Sequence, residues 1–205
     1  MVQLSKGEQT RKRLMDLAQE AILQKGFAAT SIDELTAGAD ITKSGFLYHF
    51  KDKTDLAYQL LARHLEHHEE MVDSLLKRAD AKSDDPLESF LIFLKLLAEM
   101  LDELPHPHPG CLAASYLYQD RMFDRNIRDL IERGVMAWRT QFKARLDMIT
   151  QHYSNADVDT EVLADFISTI SEGSIVISKA MNNKHILAQQ ILLARDYIRR
   201  IFAQS

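Results

Sequence analysis

Two short helices with a tight turn between them are written into residues 30–53, TSIDELTAGADITKSGFLYHFKDK. Thr30-Ser31 is a helix N-cap signal, and Asp33 and Glu34 place acid in the first turn, where the helix dipole favours it. Ile32 and Leu35 supply an inward face. Gly38 and the Ala39-Asp40 pair are expected to end that helix, since glycine and aspartate tolerate backbone angles that other residues resist. Thr42 then caps a second helix carrying Lys43, Ser44, Tyr48 and His49, while Phe46 and Phe50, four apart, mark its buried side. A helix pair of this kind, with donors concentrated on the second member, is the sequence form of a helix-turn-helix that reads DNA.

The flanking sequence extends the pattern. A first helix is expected from about Glu8 to Lys25, with Leu14, Leu17, Ala18, Ala21 and Ile22 at the spacing of one buried face. Gly26 ends it, and Phe27 is expected to plug a small core with Ile32, Leu35, Phe46 and Phe50. Between Arg11 and Leu56 the chain resembles the N-terminal domain of the TetR family of bacterial transcriptional repressors. The resemblance is carried by Lys25-Gly26-Phe27, by Thr30-Ser31, and above all by ITKSGFLYHFKDKTDL, Ile41 to Leu56. It covers about a quarter of the chain; the remainder is too divergent to match by motif.

The rest of the sequence reads as helices. Seven Gly and four Pro in 205 residues, with 46% hydrophobic and 27% charged residues, favour a soluble and nearly all-helical protein. The expected fold is all-α with about nine helices. Residues 1–52 are expected to form a three-helix DNA-binding domain, and residues 53–205 a larger helical domain for effector binding and dimerisation. A long helix is expected from near Asp52 past Leu76, and an apolar one over Leu87 to Leu104. The PHPHPG run, Pro105 to Gly110, is a loop. A short helix near Leu112 to Tyr118 and a long one from about Asp124 to Tyr153 follow. Asp157 or Asp159 is expected to cap the first of two final helices, roughly Asp159 to Met181 and Lys184 to Ala203, turned by Asn182-Asn183.

Charge and chemistry narrow the function. The net charge of −5 is unevenly spread. Lys6, Arg11, Lys12, Arg13, Lys43, Lys51 and Lys53 cluster around the paired helices, whereas acid dominates elsewhere, so a duplex would be drawn to one end only. No signal-peptide pattern and no run of 18 apolar residues is seen, so no membrane partner and a cytoplasmic location are expected. The absence of GxSxG, HExxH, P-loop and glycine-fingerprint motifs argues against an enzyme, and no cofactor is implied. His64, His67 and His68 fall at i, i+3 and i+4 among glutamates, a spacing that can hold a divalent metal, but a solvated polar face is the expected reading. No metal is expected.

Site residues follow from position and from the resemblance. Lys43 and Ser44, at the front of the reading helix, are expected at base edges, and Gly45 removes a side chain so that the helix can sit deeper. Leu47, where many relatives carry tyrosine, suits a thymine methyl. Tyr48, His49, Thr30 and Thr42 suit the DNA backbone, and the resemblance assigns a phosphate to Lys53. The resemblance also implies a homodimer through the last two helices, on double-stranded operator DNA, with Ile167, Ser171, Ser174, Ile177, Ile191, Ala194 and Ile198 at the interface. It implies a small-molecule effector of unknown identity, with Phe90, Phe93, Leu97, Met100, Cys111, Tyr116, Tyr118, Met122, Trp138, Phe142 and Phe166 as wall residues. Two alternatives stand beside it: a redox- or electrophile-responsive regulator acting through Cys111, and a DNA-binding regulator without an effector.

Overall fold

The computed structural model describes residues 5–153 and 158–203. Among these, every regular element is helical: α1 (Lys6–Lys25), α2 (Ile32–Ala39), α3 (Lys43–His49), α4 (Lys53–Asp80), α5 (Pro86–Asp102), α6 (Leu112–Leu117), α7 (Arg125–His152), α8 (Thr160–Ala180) and α9 (His185–Ala203), with a 3-10 turn at Asp120–Met122. The starts are set by short polar side chains that satisfy otherwise unpaired amides. Ser5 and Glu8 form a reciprocal capping box at α1. Ser31 accepts from Glu34 N at 3.1 Å, Thr42 from Gly45 N at 3.1 Å, and Asp85 from Glu88 N at 2.8 Å. Asp159 caps α8; Asp157, the alternative, lies outside the described residues.

Packing divides the chain into two compact units. The first comprises the chain as far as Glu66 together with Cys111–Glu132; the second comprises His67–Gly110 and the chain from Arg133 onward. In the first, Leu14, Ala18, Phe46, Phe50, Ala57, Leu60 and Leu61 pack with Leu112, Tyr116 and Ile127, all at most 1% exposed. α6 and the start of α7 therefore complete the core beneath the helix-turn-helix, although some sixty residues separate them from it in the chain.

The second unit is built around α5. Leu87, Phe90, Leu91, Phe93, Leu94, Leu96 and Ala98 are buried around most of its circumference, as expected of a central helix. Phe90, Phe93 and Phe142 form a ring cluster with centroids 5.7–6.5 Å apart. Leu187, Ile191, Ile198 and Phe202 of α9 and Leu163, Ala164 and Ile167 of α8 close the same core. The small serines of α8 bond back to their own helix, Ser171 to Ile167 O at 2.8 Å and Ser174 to Ile170 O at 2.5 Å.

Candidate nucleic-acid interface

The turn between α2 and α3 differs in detail from the sequence expectation. Gly38 remains helical, and Asp40 adopts the left-handed conformation (φ 56°, ψ 49°) that reverses the chain. Gly38 is needed for a different reason: a Cβ there would stand 3.2 Å from Leu17 Cδ1, so its absence lets α1 lie close against α2. The Arg13 guanidinium donates to the Gly38 carbonyl at 2.9 Å, satisfying a helix-terminal acceptor.

α3 is anchored by one side only. Phe46 is fully buried and its ring lies 5.6 Å from that of Phe50, which is also buried. On the opposite side Lys43, Ser44, Leu47 and Tyr48, at i, i+1, i+4 and i+5, form one outward strip, with the exposed Thr42 at its head. Tyr48 is 84% exposed and Leu47 52%. His49 is half-buried with its ring 5.0 Å from that of Tyr48. Gly45 is half-buried too, and the nearest atoms to its missing Cβ are Ile41 Cβ and Cδ1 and Thr42 Oγ1, at 3.4–3.6 Å.

Two residues expected at the DNA backbone are engaged within the chain. Thr30 is 2% exposed; its hydroxyl donates to Gly26 O at 3.0 Å and its amide to Phe27 O at 3.2 Å. Thr30 shapes the α1–α2 turn, with both of its donors directed inward. Lys53 is half-buried: its ammonium donates to Phe27 O at 2.5 Å and lies 4.1 Å from the centroid of the Phe27 ring. Burial pushes its pKa below the ordinary lysine value. The other basic residues near the helix pair also have neighbours. Arg11 sits 5.2 Å over the Phe50 ring and donates to Gln59, whereas Lys12 pairs with Asp16 at 2.7 Å. Lys6, Lys43 and Lys51 are exposed.

The remaining expected site residues are scattered by the fold. Phe90, Phe93 and Phe142 are core residues of the second unit, and Leu97, Met100 and Phe166 pack partly buried against it. Trp138 stacks on His68 at 4.1 Å, while His67 is exposed and 4.0 Å from Glu70. Among the described residues, no group of three or more His, Cys, Asp or Glu is arranged to hold a metal ion. Cys111, Tyr116, Tyr118 and Met122 belong to the first unit. Tyr116 is buried there, donating to Ala57 O at 3.3 Å, and burial drives its phenol pKa upward. Cys111 caps α6, its Sγ accepting from Ala114 N at 3.4 Å. Tyr118 is 85% exposed.

On the last two helices, Ile167, Ser174, Ile191, Ala194 and Ile198 are buried within the chain itself and Ser171 is half-buried. Those residues close the chain's own core. Ile177 alone of the expected set is exposed, at 51%; Val162, Val176, Met181, Leu192, Leu193 and Tyr197 make up the exposed apolar surface of α8 and α9. The sequence signal for them was a second apolar stripe on the same helices. Gly173, also exposed, has no atom within 4 Å of where a Cβ would be.

A capped helix pair with one buried and one outward, mixed-polarity face on its second helix has the form of a helix-turn-helix. Residues 14–60 match the family model described as bacterial regulatory proteins, tetR family. Over 180 residues, 87% of each chain, the sequence is 23% identical to the HTH-type transcriptional repressor DhaR of Mycobacterium sp. (strain GP1). It is 24% identical over 194 residues, 91% of this chain and 95% of the relative, to the HTH-type regulator YxaF of Bacillus subtilis. The fold is that of a TetR family transcriptional regulator from Agrobacterium tumefaciens, with a TM-score of 0.77 and 15% identity, covering 96% of this chain and 99% of that one. Residues 14–60 thus carry the DNA-binding domain of the tetR family of bacterial regulatory proteins, and the chain is a DNA-binding regulator rather than an enzyme. No helix among the described residues is long and apolar enough to cross a membrane.

Proposed function

We propose that the protein is a cytoplasmic, homodimeric repressor in which residues 1–52 read a palindromic operator and residues 53–205 provide dimerisation and effector binding. The reading rests above all on the outward strip of α3. Lys43 and Ser44 meet base edges, Leu47 meets a thymine methyl, and Thr42, Tyr48, His49 and Lys53 meet the backbone. Two such helices, in successive major grooves, lie about 34–36 Å apart, or more for a longer operator. The dimer face is the exposed apolar surface of α8 and α9, with Ile177, Val176 and Leu193 at its centre. Gly173 allows a close helix approach there.

Release from DNA requires an effector that binds the DNA-incompetent form more tightly, since a ligand indifferent to the two forms shifts nothing. Phe90, Phe93, Leu97, Met100, Trp138, Phe142 and Phe166 supply apolar and aromatic surface in the second unit from which such a pocket is made.

Selection of genomic fragments by the purified protein at near-physiological salt tests the operator. Enrichment of sites sharing a palindrome supports it, and no enrichment by folded protein sinks it. With the site in hand, Lys43→Ala is expected to relax base preference at one position by about 1–3 kcal/mol. Lys53→Ala should instead weaken all sequences together and lower the salt slope by about one. Equal loss on every sequence for Lys43→Ala would remove its base-reading role.

A further inference from the structure

Lys53 does not choose its own position. The turn it sits on, Gly26 to Thr30, begins with Gly26 at φ 85° and is crossed by the side chain of Gln119, which comes from just beyond α6. Ala28 N donates to Gln119 Oε1 at 3.1 Å, and Gln119 Nε2 stands 2.7 Å from where a Cβ on Gly26 would be. The amide therefore lies across the turn in space that only a glycine leaves open. Phe27, held in this turn, is 5% exposed, with its ring 4.7 Å from that of Phe123 and 6.1 Å from that of Tyr116. Its carbonyl and its ring face together seat the Lys53 ammonium.

We infer that Gln119 is a positioning residue for DNA binding: by clamping the Gly26–Thr30 turn, with Phe123 and Tyr116 behind Phe27, it aims the Lys53 ammonium at the phosphate. The inference rests on the DNA reading proposed above. An ammonium has three N–H donors. One is taken by Phe27 O and the ring face occupies a second direction, which leaves a third for an incoming oxygen. A neutral carbonyl and a ring hold the cation without cancelling its charge, unlike a carboxylate, and a phosphate is the stronger acceptor. Much of the long side chain's rotamer freedom is thus given up before DNA arrives, which is how preorganisation gains affinity. Gln119 touches no DNA in this arrangement; it acts through Phe27.

The test uses the full chain and a mixed-sequence duplex at low salt, so that phosphate contacts dominate. Gln119→Leu keeps the bulk and removes the acceptor, and is expected to weaken binding about three- to tenfold. The same substitution in a Lys53→Ala background is expected to cost less than about twofold, because the two residues act through one contact. Phe27→Leu, which keeps an apolar plug but removes the ring face, should show the same dependence on Lys53 and carries the test if Gln119→Leu does not fold. A Gln119→Leu loss as large without Lys53 as with it, or no loss at all, overturns the positioning role. Lys53→Ala binding like wild type would overturn it too, whereas wild-type protein without salt-dependent duplex binding would bring down the DNA reading beneath it, a result distinct from these.

Discussion

The two units differ in where their cations find neutral partners and where they find carboxylates. Around the reading helices, Arg11, Arg13 and Lys53 are held by neutral partners, a ring and an amide, a helix-terminal carbonyl, and a carbonyl with a ring, while Lys25 and Arg63 tie α1 to α2 and α4 through Glu34 and Asp16. In the second unit the cations of α7 meet carboxylates. Arg145 grips both oxygens of Asp80 at 2.8 and 2.7 Å, and Arg139 both oxygens of Asp165 at 2.8 and 2.6 Å. Lys143 and Thr160 converge on Asp147. A cation seated on a carbonyl keeps its net charge, whereas one paired with a carboxylate is locally neutralised. Ion pairs thus join helices in both units, and what distinguishes the first is that Arg11, Arg13 and Lys53, beside the helix pair, are held by neutral groups instead.

The strongest way to break this contrast is through the anchor of α3. Phe46→Ala is expected to cost about 3–5 kcal/mol in a denaturant melt and to abolish DNA binding, because the ring is fully buried. Leu47→Ala, one residue on but outward, should change stability by less than about 0.5 kcal/mol and still alter operator binding. A large stability loss at Leu47 would mean that the outward strip belongs to the fold rather than to a partner.

Next in size is the aliphatic face of α8 and α9. Leu193→Glu, at a position 61% exposed, is expected to leave the helical signal intact while converting dimer to monomer in sedimentation. An unchanged sedimentation coefficient would remove this face from the interface.

The ion pairs of the second unit should respond to acid. The Arg145 guanidinium, with help from Ser89, holds the Asp80 carboxyl below the ordinary carboxylate range. A folded pKa below the unfolded one contributes stability that is complete above that range and drains away as pH falls through the lowered value. Asp80→Asn is therefore expected to cost about 1 kcal/mol or less at neutral pH, since both partners are partly exposed, and to flatten the acid limb of the stability curve. The fluorescence of Trp138, the single tryptophan, reports it within the same unit. An acid limb as steep as in the wild type would assign the effect to other carboxylates.

Smallest is Gly173→Ala. In an exposed helix interior with nothing near the new methyl, alanine should raise chain stability by about 0.5 kcal/mol. Weaker dimerisation accompanying that gain would place Gly173 at the close approach of two copies.

Most of the DNA-reading half was legible because its signals act over four residues or fewer. Ser31 and Thr42 cap the helices they precede, and Phe46 and Phe50 declare the buried side of α3 by spacing alone. The outward strip is simply what remains once that side is known. The break at Pro105–Gly110 and the Asp159 cap are equally local. Where two residues competed for one local role, as Gly38 and Asp40 did for the left-handed position, local preference did not decide. Packing of α1 against Gly38 did.

Everything that depended on pairing distant segments was settled by tertiary structure. Helices α8 and α9 carry apolar residues on two stripes, so periodicity identifies helices but not which stripe faces α5; the fold turned Ile167, Ile191 and Ile198 inward and left Val176, Ile177 and Leu193 outside. No pattern in residues 111–132 announces that Tyr116 and Phe123 belong beside Phe27, or that Gln119 reaches back ninety-one positions to Ala28. Capping, helix period and chain reversal are properties of neighbouring residues and can be read in order along the chain. Which helix faces which, and where a lysine's ammonium comes to rest, are set by the burial of many side chains at once.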